Sequence, residues 1–194
     1  MHLNQNELSI PNPKKEGDLR LKFDMRSTFA AESRVEEIAF VTPSKAPELM
    51  ATMSAALRDL SSHLAHLHFH AGIAAKKVRE RRAVVVTEII PTKLAEKKLS
   101  NNDSTREAII ELDPEYSAVS EVELEVEAAQ IFVREKFRSV ESHLNAIKKS
   151  MDATANLLNY SANTNLTQPV TQTEEAPTKQ YNNLVVGKAR YGSQ

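Results

Sequence analysis

Apolar side chains recur at Met50, Met53, Leu57, Leu60, Leu64, Leu67, Ala71, Ala74 and Val78, in alternating steps of three and four. Such spacing returns to one side of a helix every heptad, and its persistence over four repeats requires a second helix to cover the seam. A matching seam follows at Val119, Val122, Val126, Ala129, Val133, Phe137, Val140, Leu144, Ile147 and Met151. Between them, Pro91 kinks or ends the first helix. DSTREAIIEL offers Asp103 or Ser104 as an N-cap, with Glu107 placed for a capping box over 104–112. LDPEY offers Asp113 as a second cap, with Pro114 at the first helical position. The two long helices are expected to fold back as an antiparallel, coiled-coil-like hairpin over residues 47–151.

Composition agrees with a mainly α fold. Glycine is scarce at 4, aromatic residues make up 5% and charged residues 26% of the 194 positions, which suits long helices better than a mixed sheet. Outside the hairpin, residues 1–18 contain Pro11, Pro13 and Gly17 and read as a flexible arm. Residues 19–43 read as a strand or short β-hairpin. LRLKFDMR alternates Leu19, Leu21, Phe23 and Met25 against charged neighbours, and IAFVTP at 38–43 is its candidate partner, although FAAESRVEEIAF can equally be drawn as a short helix. Residues 152–194 read as a polar, disordered or extended tail with a short apolar segment around Leu184, Val185 and Val186. A second, smaller stripe of Leu124, Ala128 and Ile131 lies away from the main seam, which implies a homo-oligomer.

Charge is balanced in total, at −1, and uneven locally. Lys76, Lys77, Arg79, Arg81 and Arg82 meet only Glu80 in their stretch, whereas Glu111, Asp113, Glu115, Glu121, Glu123, Glu125 and Glu127 occur with no base among them. If the turn centres between 98 and 114, facing positions sum to about 212 for straight antiparallel helices. Lys93, Lys97 and Lys98 then face the acids. Residues 76–82 face 130–136, so Lys76, Lys77, Arg79, Arg81, Arg82, Arg134, Lys136 and Arg138 form a basic belt opposed only by Glu80 and Glu135. Repeated in an oligomer, such a belt suits phosphates; the alternative is a solvated coiled-coil flank. Phe132, Phe137 and Tyr116 are expected in the packing rather than as stacking platforms.

His63, His66 and His70 share one side of their helix, and the same register brings His143 toward His70. Zinc needs about four ligands in closed geometry, and nothing supplies a guaranteed fourth, so no metal or other cofactor is expected. Titrating imidazoles in an assembly seam are the neighbouring possibility. There is no glycine-rich phosphate loop, nucleophile elbow or paired-carboxylate cleft, so the chain is not expected to be an enzyme. It has no cysteine and no apolar run of membrane-spanning length, which points to a soluble protein in a reducing compartment with no membrane partner.

The succession AAKKVRERRAVV, a broken segment, STREAIIELDPEY and a helix ending SHLNAIKKSM resembles the phage recombination mediators of the UvsY-like type, over about residues 47–151. The resemblance implies a helical protein that forms ring-like oligomers and binds single-stranded DNA. It also implies that the protein helps a recombinase load onto strands occupied by a single-strand-binding protein, in the cytoplasm of a bacterial host. The DNA-contacting segment of the family maps onto Lys76, Lys77, Arg79, Arg81 and Arg82. The strand-like 19–41 segment and the polar tail depart from the family pattern. They keep open a structural or assembly protein, a virion or scaffold component, whose hairpin and arms grip neighbouring subunits.

Overall fold

The computed structural model describes residues 1–4, 6–14 and 19–165. The chain divides into a compact unit of Met1–Asn156 and a second unit from Leu157 onward. The first unit is mainly helical and begins with a three-stranded antiparallel sheet, β1 (His2–Leu3), β2 (Glu7–Pro11) and β3 (Arg20–Asp24), in that order. After it come α1 (Arg26–Glu32), a 3-10 helix (Val35–Phe40), α2 (Ala46–Val84), a π turn (Val85–Ile89), α3 (Ile90–Lys97), α4 (Asp103–Glu111) and α5 (Pro114–Asn165).

Two expectations for the N-terminal region are corrected. The partner of the 20–24 strand is β2, with Leu8 opposite Phe23 and Ile10 opposite Leu21, so residues 1–18 are not simply an arm. An Asx turn starts β2: the Asn4 side-chain oxygen accepts from the backbone N–H groups of Asn6 and Glu7 at 3.0 and 2.7 Å. Residues 38–43 form no strand; of the two readings of FAAESRVEEIAF the helical one is seen, as the end of α1 and a 3-10 helix over 35–40. The alternation of LRLKFDMR places Phe23 and Met25 inside, alongside Leu8 and Ile10 of β2. The tail is also corrected at its start, since α5 continues to Asn165. The apolar segment at 184–186 lies outside the described residues.

The main core joins the sheet to both long helices. From α2 it takes Leu49, Met53, Ala56, Leu60 and Leu67, and from α5 Val126, Ala129, Val133, Val140, Leu144 and Ile147. The α5 seam is as expected. On α2 the phase is shifted: the innermost positions repeat as Leu49, Met53, Ala56 and Leu60, then His63, Leu67, His70 and Ala74, while Met50, Leu57, Leu64 and Ala71 are half-buried beside them. The polar members of the inner row disguise its phase in the sequence. His63 is accommodated by β3, its Nε2 lying 2.7 Å from the Asp24 carbonyl oxygen and its ring edge-on to Phe23.

A second core lies at the turn of the hairpin, where Val85, Ile90, Ile109 and Ile110 are buried with Ile89, Leu94 and Tyr116 against them. The π turn explains the step of five between Val85 and Ile90. Pro91 has no N–H to donate, and the wider turn before it rotates Ile90 onto the buried side. The helix therefore passes Pro91 and ends at Lys98, a left-handed residue (φ 49°), with Leu99 N–H returning to the Leu94 carbonyl. Asn102, not Asp103 or Ser104, caps α4 by accepting from Thr105 N–H at 2.8 Å.

This corner also corrects the register. Facing positions sum to 194 at Arg81 and Asp113 and to 198 at His68 and Gln130, short of the expected 212. α4 is a separate helix inside the connection. It covers residues 85–97, which overhang the start of α5, so α5 begins opposite Arg81.

Candidate nucleic-acid interface

One face of α2 is left to solvent along much of its length. Arg58, Ser62, Ala65, Phe69, Gly72, Lys76 and Arg79 follow one another at steps of four and three, and all are exposed. Phe69 is 55% exposed, in the middle of α2 and opposite its buried row. Lys14, from the segment after β2, places its ammonium 4.4 Å from the centre of the Phe69 ring. A side-chain atom built on Gly72 would meet nothing within 4 Å, so the backbone there lies open between the ring and the two cations. From Phe69 to Arg79 the strip covers about 15 Å of helix. Sequence reasoning missed Phe69 and Lys14: the phenylalanine is embedded among histidines in HLHFH, and Lys14 reaches it only because β2 forms.

The eight cations expected in one belt are not gathered. Lys76 and Arg79 are on the exposed strip, with Lys76 3.5 Å from Glu80 one turn on and Arg79 Nε donating to the Ala75 carbonyl. Lys77 is half-buried at the edge of the seam and makes no ion pair among the described residues. Arg81 is committed to the fold, with its fork on Asp113 at 2.8 and 2.9 Å and Nη1 on Glu115 at 2.6 Å. Arg82 pairs with Glu107 of α4. Across the hairpin, Lys136 reaches Glu32 of α1 at 2.6 Å and Arg138 pairs with Glu135 at 2.8 Å, whereas Arg134 is exposed with no ion pair among the described residues. The corrected register is the cause: residues 81 and 82 meet acids rather than the 130–136 stretch. Phe132 and Phe137 pack on the main core and Tyr116 on the second.

The histidines do not converge either. His63 is bound to β3, His66 is exposed, and His70 and His143 each have a buried Nδ1 without a hydrogen-bond partner. The register that was to bring His143 toward His70 is the one corrected above. Among the described residues, no group of three or more His, Asp or Glu side chains is placed to hold a metal ion. Burial, then the nearby Lys14 and His66, hold the His70 imidazole below its ordinary pKa.

What the strip offers is one exposed aromatic face, an uncovered stretch of backbone, and cations on both sides of the ring. A nucleobase can stack on such a face while flanking phosphates meet the ammonium and guanidinium groups, with no base edge read. No helix among the described residues is long and apolar enough to cross a membrane. No family model matches the chain, and neither a curated protein nor a solved structure does.

Proposed function

We propose that this protein binds single-stranded DNA as an oligomer and serves, without chemistry of its own, as a phage recombination mediator. In that role it presents the strand to a recombinase and works against a single-strand-binding protein. The observation that carries the DNA-binding part is the strip of Phe69, Gly72, Lys76 and Arg79 on the open face of α2, with Lys14 beside the ring. The mediator role rests on the resemblance of residues 47–151 to the UvsY-like proteins. Arg81 and Arg82, which that resemblance assigns to DNA, serve the hairpin corner instead, and the working contacts move to Lys14, Phe69, Lys76, Lys77 and Arg79.

The test is fluorescence anisotropy of labelled oligo-dT titrated with the full chain at several salt concentrations. Binding is expected to weaken linearly in log–log form as salt rises, and each phosphate-contacting cation removed lowers that slope by about 1. Phe69→Ala is expected to cost roughly 1–3 kcal/mol of affinity with the slope unchanged, as loss of a stacking platform does. Absence of binding at low salt sinks this reading. It would leave the non-enzymatic assembly protein, which the exposed Leu124 and Ile131 favour and which requires no nucleic acid.

A further inference from the structure

The outward face of α5 carries a pattern that the hairpin does not use. Ser117, Glu121, Leu124, Ala128, Ile131, Glu135, Arg138 and Ser142 recur at steps of four and three, on the side opposite the buried Val126, Ala129 and Val133. All eight are exposed, and Leu124 and Ile131 keep 62% and 59% of their surface in water. This is a heptad stripe with no partner among the described residues. Its charges are ordered along the helix: Glu121 precedes the apolar centre, Arg138 follows it, and Glu127 and Arg134 repeat the order on one flank. Glu121, Glu127 and Arg134 make no ion pair among the described residues, and Arg138 meets only Glu135, three positions before it on the same helix.

We infer that this face pairs with the same face of a second copy of the chain, antiparallel about a two-fold axis. The order of the charges selects the direction. In a parallel pair Glu121, Glu135 and Arg138, which lie in the seam, would each meet its own equivalent, a row of like charges, and Glu127 and Arg134 on the flank would not reach one another. In the antiparallel pair, Ala128 of one copy lies against Ile131 of the other. The same register sets Glu121 against Arg138 and Glu127 beside Arg134, each contact made twice by the symmetry. Leu124 then covers the aliphatic stem of Glu135, and Ser117 faces Ser142. The apolar centre is small, so charge contributes much of the specificity and association weakens as salt rises. Arg134 and Arg138 are engaged in this pairing and leave the set of cations open to phosphate. The inference does not depend on the nucleic-acid reading, and its test contains no DNA.

Sedimentation equilibrium of the full chain is expected to show reversible self-association that weakens with salt. Glu121→Arg with Glu127→Arg gives one variant, and Arg134→Glu with Arg138→Glu gives another. Each alone is expected to raise the dissociation constant at least about tenfold while helical circular dichroism is unchanged, and an equimolar mixture is expected to associate again. Orientation is read by cysteines, since the chain contains none. The double variant Ser117→Cys, Ser142→Cys is expected to oxidise to a covalent dimer, whereas Ser117→Cys alone remains uncrosslinked. A chain that stays monomeric at every concentration overturns the proposal. So does association indifferent to both charge reversals, or a disulfide dimer formed by Ser117→Cys alone.

Discussion

Arg81 holds Asp113 with both arms of its guanidinium, Nε to Oδ1 at 2.9 Å and Nη2 to Oδ2 at 2.8 Å, while the same Oδ1 accepts the Tyr116 backbone N–H at 2.8 Å. One carboxylate therefore caps α5 and fastens it to α2. With side-chain exposures of 20% and 5%, the pair is largely withdrawn from water. Arg81→Ala leaves that carboxylate without its fork and is expected to cost about 3 kcal/mol, toward the low end for a broken buried pair because the Arg81 side is partly open to solvent. Arg82→Ala, whose pair with Glu107 is half exposed, is expected to cost no more than about 1 kcal/mol. Urea unfolding of the two variants separates these values. Equal, small losses would mean that the Asp113 latch contributes little.

The same latch sets an acid limit. Hydrogen bonding from Arg81 outweighs burial and holds the Asp113 carboxyl below its ordinary value of 3.8. A carboxylate with a depressed folded pKa contributes fully above the unfolded value, and that contribution is lost as pH falls through the folded one. Stability measured from pH 5 down to pH 2 is expected to fall less steeply for Asp113→Asn than for the unaltered chain. Parallel curves would assign the acid loss to other carboxylates.

His70 acts at higher pH. Its imidazole is held below 6.5, first by burial and then by Lys14 and His66, so the unfolded chain takes up a proton more readily than the folded one. Stability is therefore expected to decline as pH drops through about 6.5. Replacing His70 with Leu, which has no titrating group, is expected to flatten the decline between pH 7.5 and 5.5. Thermal melts at the two pH values measure it, and an unchanged decline in the variant would remove His70 as the source.

Lys98 adopts the left-handed conformation that closes the helix after Lys97. Glycine takes that conformation without the clash a Cβ makes with the backbone. Lys98→Gly is expected to stabilise the chain by up to about 1 kcal/mol, provided the gain exceeds glycine's greater freedom in the unfolded chain. A loss of stability in chemical denaturation would contradict this account of the turn.

The parts of the fold written as periodicity were legible in the sequence. Val126, Ala129, Val133, Val140, Leu144 and Ile147 are buried as their spacing requires, and Leu124, Ala128 and Ile131 stand outside as a separate stripe. Asp113 and Pro114 announced the start of α5 because a cap is a local device. What depends on contacts distant in the chain was not legible. β2 ends in Pro11, a residue that reads as a breaker, and it becomes a central strand only when β1 and β3 flank it. The hairpin register depended on how α4 fills the connection, and that register decided whether Arg81 faced cations or Asp113. The candidate site changed for the same reason. Lys76 and Arg79 were found from charge alone, whereas Phe69 acquires significance only once its helix face is known to be uncovered.

The hairpin's two cores have a span between them that neither fills. Between Leu67 and Val85, Ala74 is the only hydrophobic residue of α2 that is fully buried, and its seam neighbours are His70, Lys77 and Arg81. With fewer buried apolar side chains than the blocks on either side, one braced by the sheet and the other by α4, such a stretch is expected to serve as a joint between them. Its backbone amides should exchange with deuterated solvent sooner than those of Leu49–Leu60. Phe69, Gly72, Lys76 and Arg79 ride on that joint, so a strand lying across them would act as a splint and slow the exchange there more than anywhere else in α2.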